Sequence, residues 1–363
     1  MHGEVTIVSA LEPSWKQAVA PAAYRLRFPR SWRPDPVGNR YLSAIDRDTV
    51  AWLNEYGIGG SEREREKLRK FDCGMYGGYS LPTAPFATAL LVTQYISLWL
   101  FWDDVEVEDD ESFGIEAVVA ALAGDLAAKP ANRYVEAWAD LGERLRRLGS
   151  SEWVARVAVT MREWLENAKI ETAMARRFRE EGRVPGFEEL FECRTVSIGM
   201  YPTFHLIELT EGIELPDAFH EHASVRELKR IASRLVGLGN DLGGVAKDIK
   251  NRWLNLAIVL AETAGLRLEA AFGKLVQIHN AEVAAFDWLV ASLPSFGPEV
   301  DPFVAGWVQA VRYNVHGFAL WESLAERYQE YKALVGNTLL VAELVDAGET
   351  PVTRFAAASA GEP

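Results

Sequence analysis

The sequence predicts an all-α bundle, and three observations carry that prediction. Apolar residues recur at i, i+3, i+4 and i+7 through nearly every periodic segment. No sustained apolar–polar alternation and no Asn-Gly hairpin turn is found, so strands are not expected. The breakers Pro82, Pro85, Pro130, Pro185, Pro216, Pro294, Pro298 and Pro302 fall between the periodic segments rather than within them.

Along the chain, residues 1–35 carry Pro13, Pro21, Pro29 and Pro34 and read as an N-terminal arm draped over the surface. Residues 36–345 read as one domain, with no internal linker and no repeat at a fixed period. The run ATALLVTQYISLWLFW, 87–102, is the most apolar stretch. It has 16 residues, against the ~20 that span a bilayer, and it ends in aspartates, so it reads as a core helix. Helical periodicity then covers 114–127, 132–148, 151–181, 224–250, 253–292 and 302–332. Residues 346–363 read as a disordered tail.

A chain of 363 residues, 49% hydrophobic, can bury a large core. Its net charge of −14 repels nucleic acid and anionic membrane, so neither is expected as a partner. Cys73 and Cys193 give neither a disulfide framework nor a zinc spacing, and the N-terminus shows no signal-peptide pattern. A cytoplasmic protein is the expectation.

Four stretches carry chemistry. The first, FWDDVEVEDD (101–110), sets acids at the end of the apolar helix, and seven acids lie between residues 103 and 111. Acids are unfavourable at a helix C-terminus and repel one another, and a hard divalent cation would offset both effects. The second, FECRTVSIGMYP (191–202), places Arg194 among apolar residues just before a Gly-Pro interruption. A charge there needs an anionic partner. The third, NDLGGVAKD (240–248), aligns Asn240, Gly244 and Asp248 on one helix face, with Asp241 beside them and Lys247 near the end. Its two adjacent glycines cost about 1 kcal/mol each relative to Ala in a helix. The fourth, ALWESLAERYQEY (319–331), sets Trp321 six residues before Arg327-Tyr328. Taken singly, the second to fourth also fit ordinary helix faces. His205, His279 and His316 sit on helical faces and read as structural, and Asp241 reads as a salt-bridge partner.

In order and spacing, the four together resemble the bacterial-type class I terpene cyclases. DDVEVE matches that family's aspartate-rich motif, NDLGGVAKD its second metal motif, Arg194 its diphosphate-sensing arginine and WESLAERY its late Trp…Arg-Tyr element. The resemblance covers roughly residues 35–335. It implies a helical bundle around a central apolar cavity, in which a linear isoprenyl diphosphate is ionised with three Mg²⁺ ions and the carbocation cyclises. A homodimer is compatible with it. The farnesyl (C15) substrate is the expectation for a chain of this size, with the C20 geranylgeranyl diphosphate as the alternative. Carried over residue by residue, the metal ligands are Asp103, Asp104, Glu108, Asn240 and Asp248. Arg194, Lys247, Arg327 and Tyr328 hold diphosphate, and Ser197 and Ile198 couple sensing to ionisation. Trp99, Phe318 and Trp321 line the pocket.

Two positions depart from the family pattern. Gly244 stands where a Ser or Thr is usual, and Asp248 stands where a Glu is usual. A water replacing the hydroxyl, or a bend at Gly243-Gly244 that brings Asp248 into reach, would compensate. The rivals fit less well. A trans-prenyltransferase needs a second DDxxD motif, which is absent near 240, and phytoene- or squalene-type synthases need paired DxxxD motifs. A non-catalytic helical adaptor leaves the motifs unexplained.

Overall fold

The computed structural model describes residues 22–104, 114–125 and 132–346. In chain order the helices are α1 (Leu42–Glu55), α2 (Glu62–Phe71), α3 (Cys73–Ser80), α4 (Phe86–Trp102) and α5 (Ile115–Ala123). Then come α6 (Arg133–Leu148), α7 (Ser151–Glu181), α8 (Phe187–Ser197), α9 (Met200–Glu211) and α10 (Asp217–His220). The series closes with α11 (Ala223–Asn251), α12 (Leu256–Ala264), α13 (Leu268–Ala291), α14 (Asp301–Leu324) and α15 (Glu326–Gln329). The all-α class is therefore correct, and local signals explain most boundaries. Ser150 caps α7 by accepting from the Trp153 N–H, and Gly182 ends it in the left-handed conformation.

Three boundaries differ from the sequence reading. The segment 114–127 stops being helical at Gly124, whose φ of +87° ends α5. The segment 253–292 is two helices, because Gly265 at φ +60° closes α12. The segment 302–332 breaks at Ala325, whose ψ of 137° is extended; α15 follows and aims Tyr328 at α11 and Arg327 at Asp104. Neither Gly nor Pro marks that break.

Residues 22–35, the described part of the predicted arm, and the expectation of no strands are corrected as well. β1 (Ala23–Pro29) pairs in parallel with β2 (Leu339–Val345), Ala23 opposite Leu339 and Pro29 opposite Val345. Leu26 and Phe28 point into the core, and Trp32 follows them there. Arg25 and Arg27 point the other way and pair with Glu343. On the far edge of β1, Asn280 of α13 accepts from the Arg27 N–H and donates to the Arg25 carbonyl. The alternation Tyr24, Leu26, Phe28 against Arg25, Arg27 is legible in YRLRF, but it is short and lies among prolines. The predicted tail lies outside the described residues from 347 onward.

Tryptophans 32, 102, 138, 153, 164, 307 and 321 are all fully buried and fill the centre. α4 is buried nearly all round, as its largely apolar run requires, and its last turn widens into a π-helical turn at Asp103 and Asp104. Helices α4, α7, α8 and α11 meet around one cavity.

Candidate active site

Asp103 and Asp104 from α4, Glu171 from α7, Arg194, Ser197 and Ile198 at the end of α8, Asn240 and Asp248 from α11, and Arg327 line a single cavity. Its space is about 690 Å³, open mouth included, and Trp99, Leu100, Trp253 and Leu254 supply apolar wall.

The break after α8 sets one side. Gly199 has φ +77°, and a Cβ there would fall 1.5 Å from the Trp99 ring, so both conformation and packing demand glycine. Trp99 in turn packs on Trp164 with ring centroids 4.4 Å apart, and the Trp164 N–H donates to the Ser197 carbonyl at 2.6 Å. The break thus fixes Arg194 and Ser197 against α7 and α11.

Arg194 is buried and fully engaged. Nη2 donates to Asp241 Oδ1 at 2.7 Å and to Asn240 Oδ1 at 3.1 Å, while Nη1 donates to the Glu171 carboxylate at 3.2 and 3.3 Å. Burial opposes its charge, but Asp241 and Glu171 outweigh that and hold it ionised. Asp241 is also bound by the Leu256 N–H at 2.7 Å, so it is the salt-bridge partner read from the sequence. Burial, reinforced by nearby Asp248, pushes the Asp241 carboxyl up to about 6 against the pull of Arg194.

The opposite wall carries Asp104. Lys67 lies 3.2 Å from Oδ2 and Arg327 lies 3.4 Å from Oδ1. Burial pushes its carboxyl up, yet Arg327, Lys247 and Lys67 together hold it well below the usual range. The next residue after Arg327 reaches the second motif: the Tyr328 hydroxyl accepts from Asn240 Nδ2 at 3.0 Å. One dipeptide therefore ties the two acidic motifs together. Lys247 stands 3.7 Å from Asp248.

The glycines of NDLGGVAKD lie in a continuous helix against the acidic end of the site. α11 is helical without interruption from Ala223 to Asn251. The Asp248 carboxylate leans back along the helix, its Oδ2 3.4 Å from where a Gly244 Cβ would stand, an ordinary contact distance. Asn255 holds it there, donating to Oδ2 at 2.8 Å. Gly243 faces Glu322 and Tyr328, each 3.6 Å from where its Cβ would stand, so packing would also admit a small side chain there.

The remaining predicted residues fall elsewhere. Phe318 and Trp321 do not line this cavity: both pack on Tyr76, and the Trp321 N–H donates to the Phe71 carbonyl at 2.7 Å. Trp321 also buttresses Tyr328, ring centroids 5.2 Å apart. Glu108 lies outside the described residues. Sequence reasoning missed Glu171 and Lys67. Glu171 had a signal, because it falls on the buried stripe Trp164, Ala168, Thr172, Ala175 of α7, where a charge is out of place.

The donors facing the cavity from the two motifs, Asp103, Asp104, Asn240 and Asp248, offer only oxygens toward a ligand, with basic groups beside them. Burial pushes Asp248 upward, against Lys247 and Asn255, so its negative charge is under-compensated. That donor chemistry fits Mg²⁺ and a phosphate-bearing ligand.

Comparison with known proteins agrees. The family model for terpene synthase family 2, C-terminal metal binding, matches residues 94–285, more than half of the chain. The chain is 27% identical over 309 residues to a 10-epi-cubebol synthase of Sorangium cellulosum, covering 82% of this chain and 96% of that protein. It is 25% identical over 314 residues to a (+)-T-muurolol synthase of Roseiflexus castenholzii, covering 84% and 93%. In fold it matches the solved linalool/nerolidol synthase of Streptomyces clavuligerus with a TM-score of 0.70 at 21% identity, over 79% of this chain and 97% of that one. The chain belongs to the terpene synthase family, and it is a bacterial-type class I terpene cyclase.

Proposed function

We propose that this cyclase ionises farnesyl diphosphate with Mg²⁺ and closes the C15 cation into a cyclic sesquiterpene. The observation that carries the reading is the convergence of four sequence-distant motifs on one cavity, bridged by Arg327-Tyr328. Among the relatives, the muurolol synthase is described as cyclising (2E,6E)-farnesyl diphosphate, which supports the C15 choice.

Asp103, Asp104, Asn240 and Asp248 would hold Mg²⁺, with Glu108 following in the same acidic run. The metal, when bound, neutralises charge that develops on the departing diphosphate oxygen. The protein's own residues do the rest. Arg194, Lys247, Arg327 and Tyr328 orient the diphosphate and stabilise the same charge through hydrogen bonds. The allylic C–O bond breaks, and its electron pair leaves with diphosphate. Trp99 offers an aromatic face to the resulting cation without offering a nucleophile. The apolar wall around Trp99, Leu100, Trp253 and Leu254 keeps water from capturing it. Ser197 and Ile198 line the same cavity at the break beneath Trp99, and they couple diphosphate sensing at Arg194 to ionisation.

The test is incubation with the C10, C15 and C20 diphosphates and Mg²⁺, followed by product analysis by gas chromatography and mass spectrometry. A cyclic C15 hydrocarbon or alcohol is expected. A cyclic product from the C20 substrate alone would move the assignment to a diterpene cyclase.

A further inference from the structure

We infer that Glu171 competes with the substrate's anion for Arg194, and that diphosphate must displace it. The inference rests on the diphosphate reading of Arg194. Glu171 is the sole acid among the buried residues of α7, and a carboxylate on an apolar stripe is costly unless paired. Arg194 has a second, closer counter-ion, because Asp241 takes Nε at 3.2 Å and Nη2 at 2.7 Å. Glu171 takes the remaining nitrogen, Nη1, with both carboxylate oxygens.

The three acceptors on Arg194 differ in how readily they can let go. Asp241 is anchored from behind by the Leu256 N–H, and the Asn255 side chain holds its backbone carbonyl at 2.8 Å. Asn240 is tied to Tyr328. Glu171 is not held by the backbone, and it has a side-chain donor that can keep its charge partnered after exchange, since the Ser197 hydroxyl donates to its Oε2. Both contacts of Glu171 face the cavity, as do Arg194 and Ser197. An incoming diphosphate oxygen that takes Nη1 frees Glu171 from Arg194 but leaves it bound to Ser197, at the end of α8 next to the Gly199 break. Glu171 is thus a positioning residue: it sets how strongly the site resists an anion, and it passes exchange at Arg194 on to Ser197.

This gives opposite signs for binding and for turnover. Glu171→Gln removes the competing charge, so Mg²⁺–diphosphate should bind about tenfold tighter by calorimetry, the size of one charge-assisted hydrogen bond. Turnover of the isoprenyl substrate should fall at the same time, because Ser197 no longer follows a charged group. A residue that merely steadied Arg194 would give weaker diphosphate binding. Ser197→Ala is the second variant. It strips Glu171 of its other donor, tightens the grip on Arg194 and should weaken diphosphate binding. Equal or weaker binding in Glu171→Gln overturns the inference. If that variant does not fold, unchanged or tighter binding in Ser197→Ala does so. Wild-type protein that fails to bind Mg²⁺–diphosphate would remove the diphosphate reading itself, whereas wild-type binding without the gain in Glu171→Gln removes only the role of Glu171.

Discussion

Two buried ionic clusters in this molecule look alike in composition and differ in purpose. One surrounds Arg194; the other surrounds Glu208 of α9. Glu208 has no exposed surface and its acceptors are filled. His205 Nδ1 donates at 2.9 Å, His220 Nε2 stands 3.2 Å away, and the Leu215 N–H donates to Oε2 at 2.8 Å. Lys229 donates to His220 Nδ1 at 2.8 Å, which leaves the proton on Nε2, facing Glu208. Burial opposes the Glu208 charge, but the two histidines outweigh it and hold the carboxyl down at about 2. The Arg194 cluster is the reverse case. Its carboxylates face a cavity, and there burial outweighs the basic partners and leaves Asp241 and Asp248 above the usual range. A buried charge whose partners are complete stabilises a fold. A buried charge whose surroundings remain under-neutralised waits for a ligand.

The comparison breaks most visibly at Asp103. Asp103→Ala should lower turnover by about 10³-fold, the scale of losing a stabiliser of transition-state charge, with an unchanged unfolding midpoint. Near-wild-type turnover at saturating Mg²⁺ would remove Asp103 from the metal site. Arg194→Lys should follow with a loss of about 100-fold, because a point charge cannot span Asp241, Asn240 and a diphosphate as a planar fork does. Full activity would refute a sensing role.

Glu208→Gln should show the opposite pattern. Stability should fall by about 3 kcal/mol, as when one partner of a buried pair is removed, while turnover per folded molecule stays near wild type. Chemical denaturation alongside the activity assay checks both. The same cluster predicts acid lability. Burial holds His205 at about 4, below its ordinary 6.5, and Glu208 sits at about 2, below 4.5. Both folded values are depressed, so the unfolded chain binds more protons as pH falls. This contribution is full above pH 6.5 and is lost as pH falls through 4 and on towards 2. Glu208→Gln should flatten the lower part of that profile.

The smallest effect concerns Gly244 and Asp248. Gly244→Ser alone puts a Cβ against the leaning Asp248 carboxylate and should raise the Mg²⁺ concentration for half-maximal turnover a few-fold. Adding Asp248→Glu restores reach past the new side chain and should reverse the rise. If the single change lowers the Mg²⁺ requirement, a water had been standing in for the missing hydroxyl.

What could be read in the sequence follows from range. Motifs that carry charge in improbable places, such as Asp103-Asp104 after an apolar run or Arg194 among apolar residues, were legible because local physics disfavours them. Their convergence on one cavity, and the bridge from Arg327-Tyr328, depend on packing between residues 88 and 223 positions apart, which no local pattern encodes. The β1–β2 pair was missed for the same reason: its strands lie at opposite ends of the described chain, and each is too short to signal alone. The break at Ala325 carries no breaker residue. Phe318 and Trp321 were assigned to the pocket because an aromatic residue looks the same in sequence whether it lines a cavity or props the residue that does.

The most direct measurement is Mg²⁺-dependent release of inorganic diphosphate from farnesyl diphosphate, run on wild type, Asp103→Ala and Glu208→Gln at matched concentrations of folded protein. Release by wild type and by Glu208→Gln, lost in Asp103→Ala, is the predicted result. No release by the wild type from the C15 diphosphate, or from its C10 and C20 counterparts, would contradict the account.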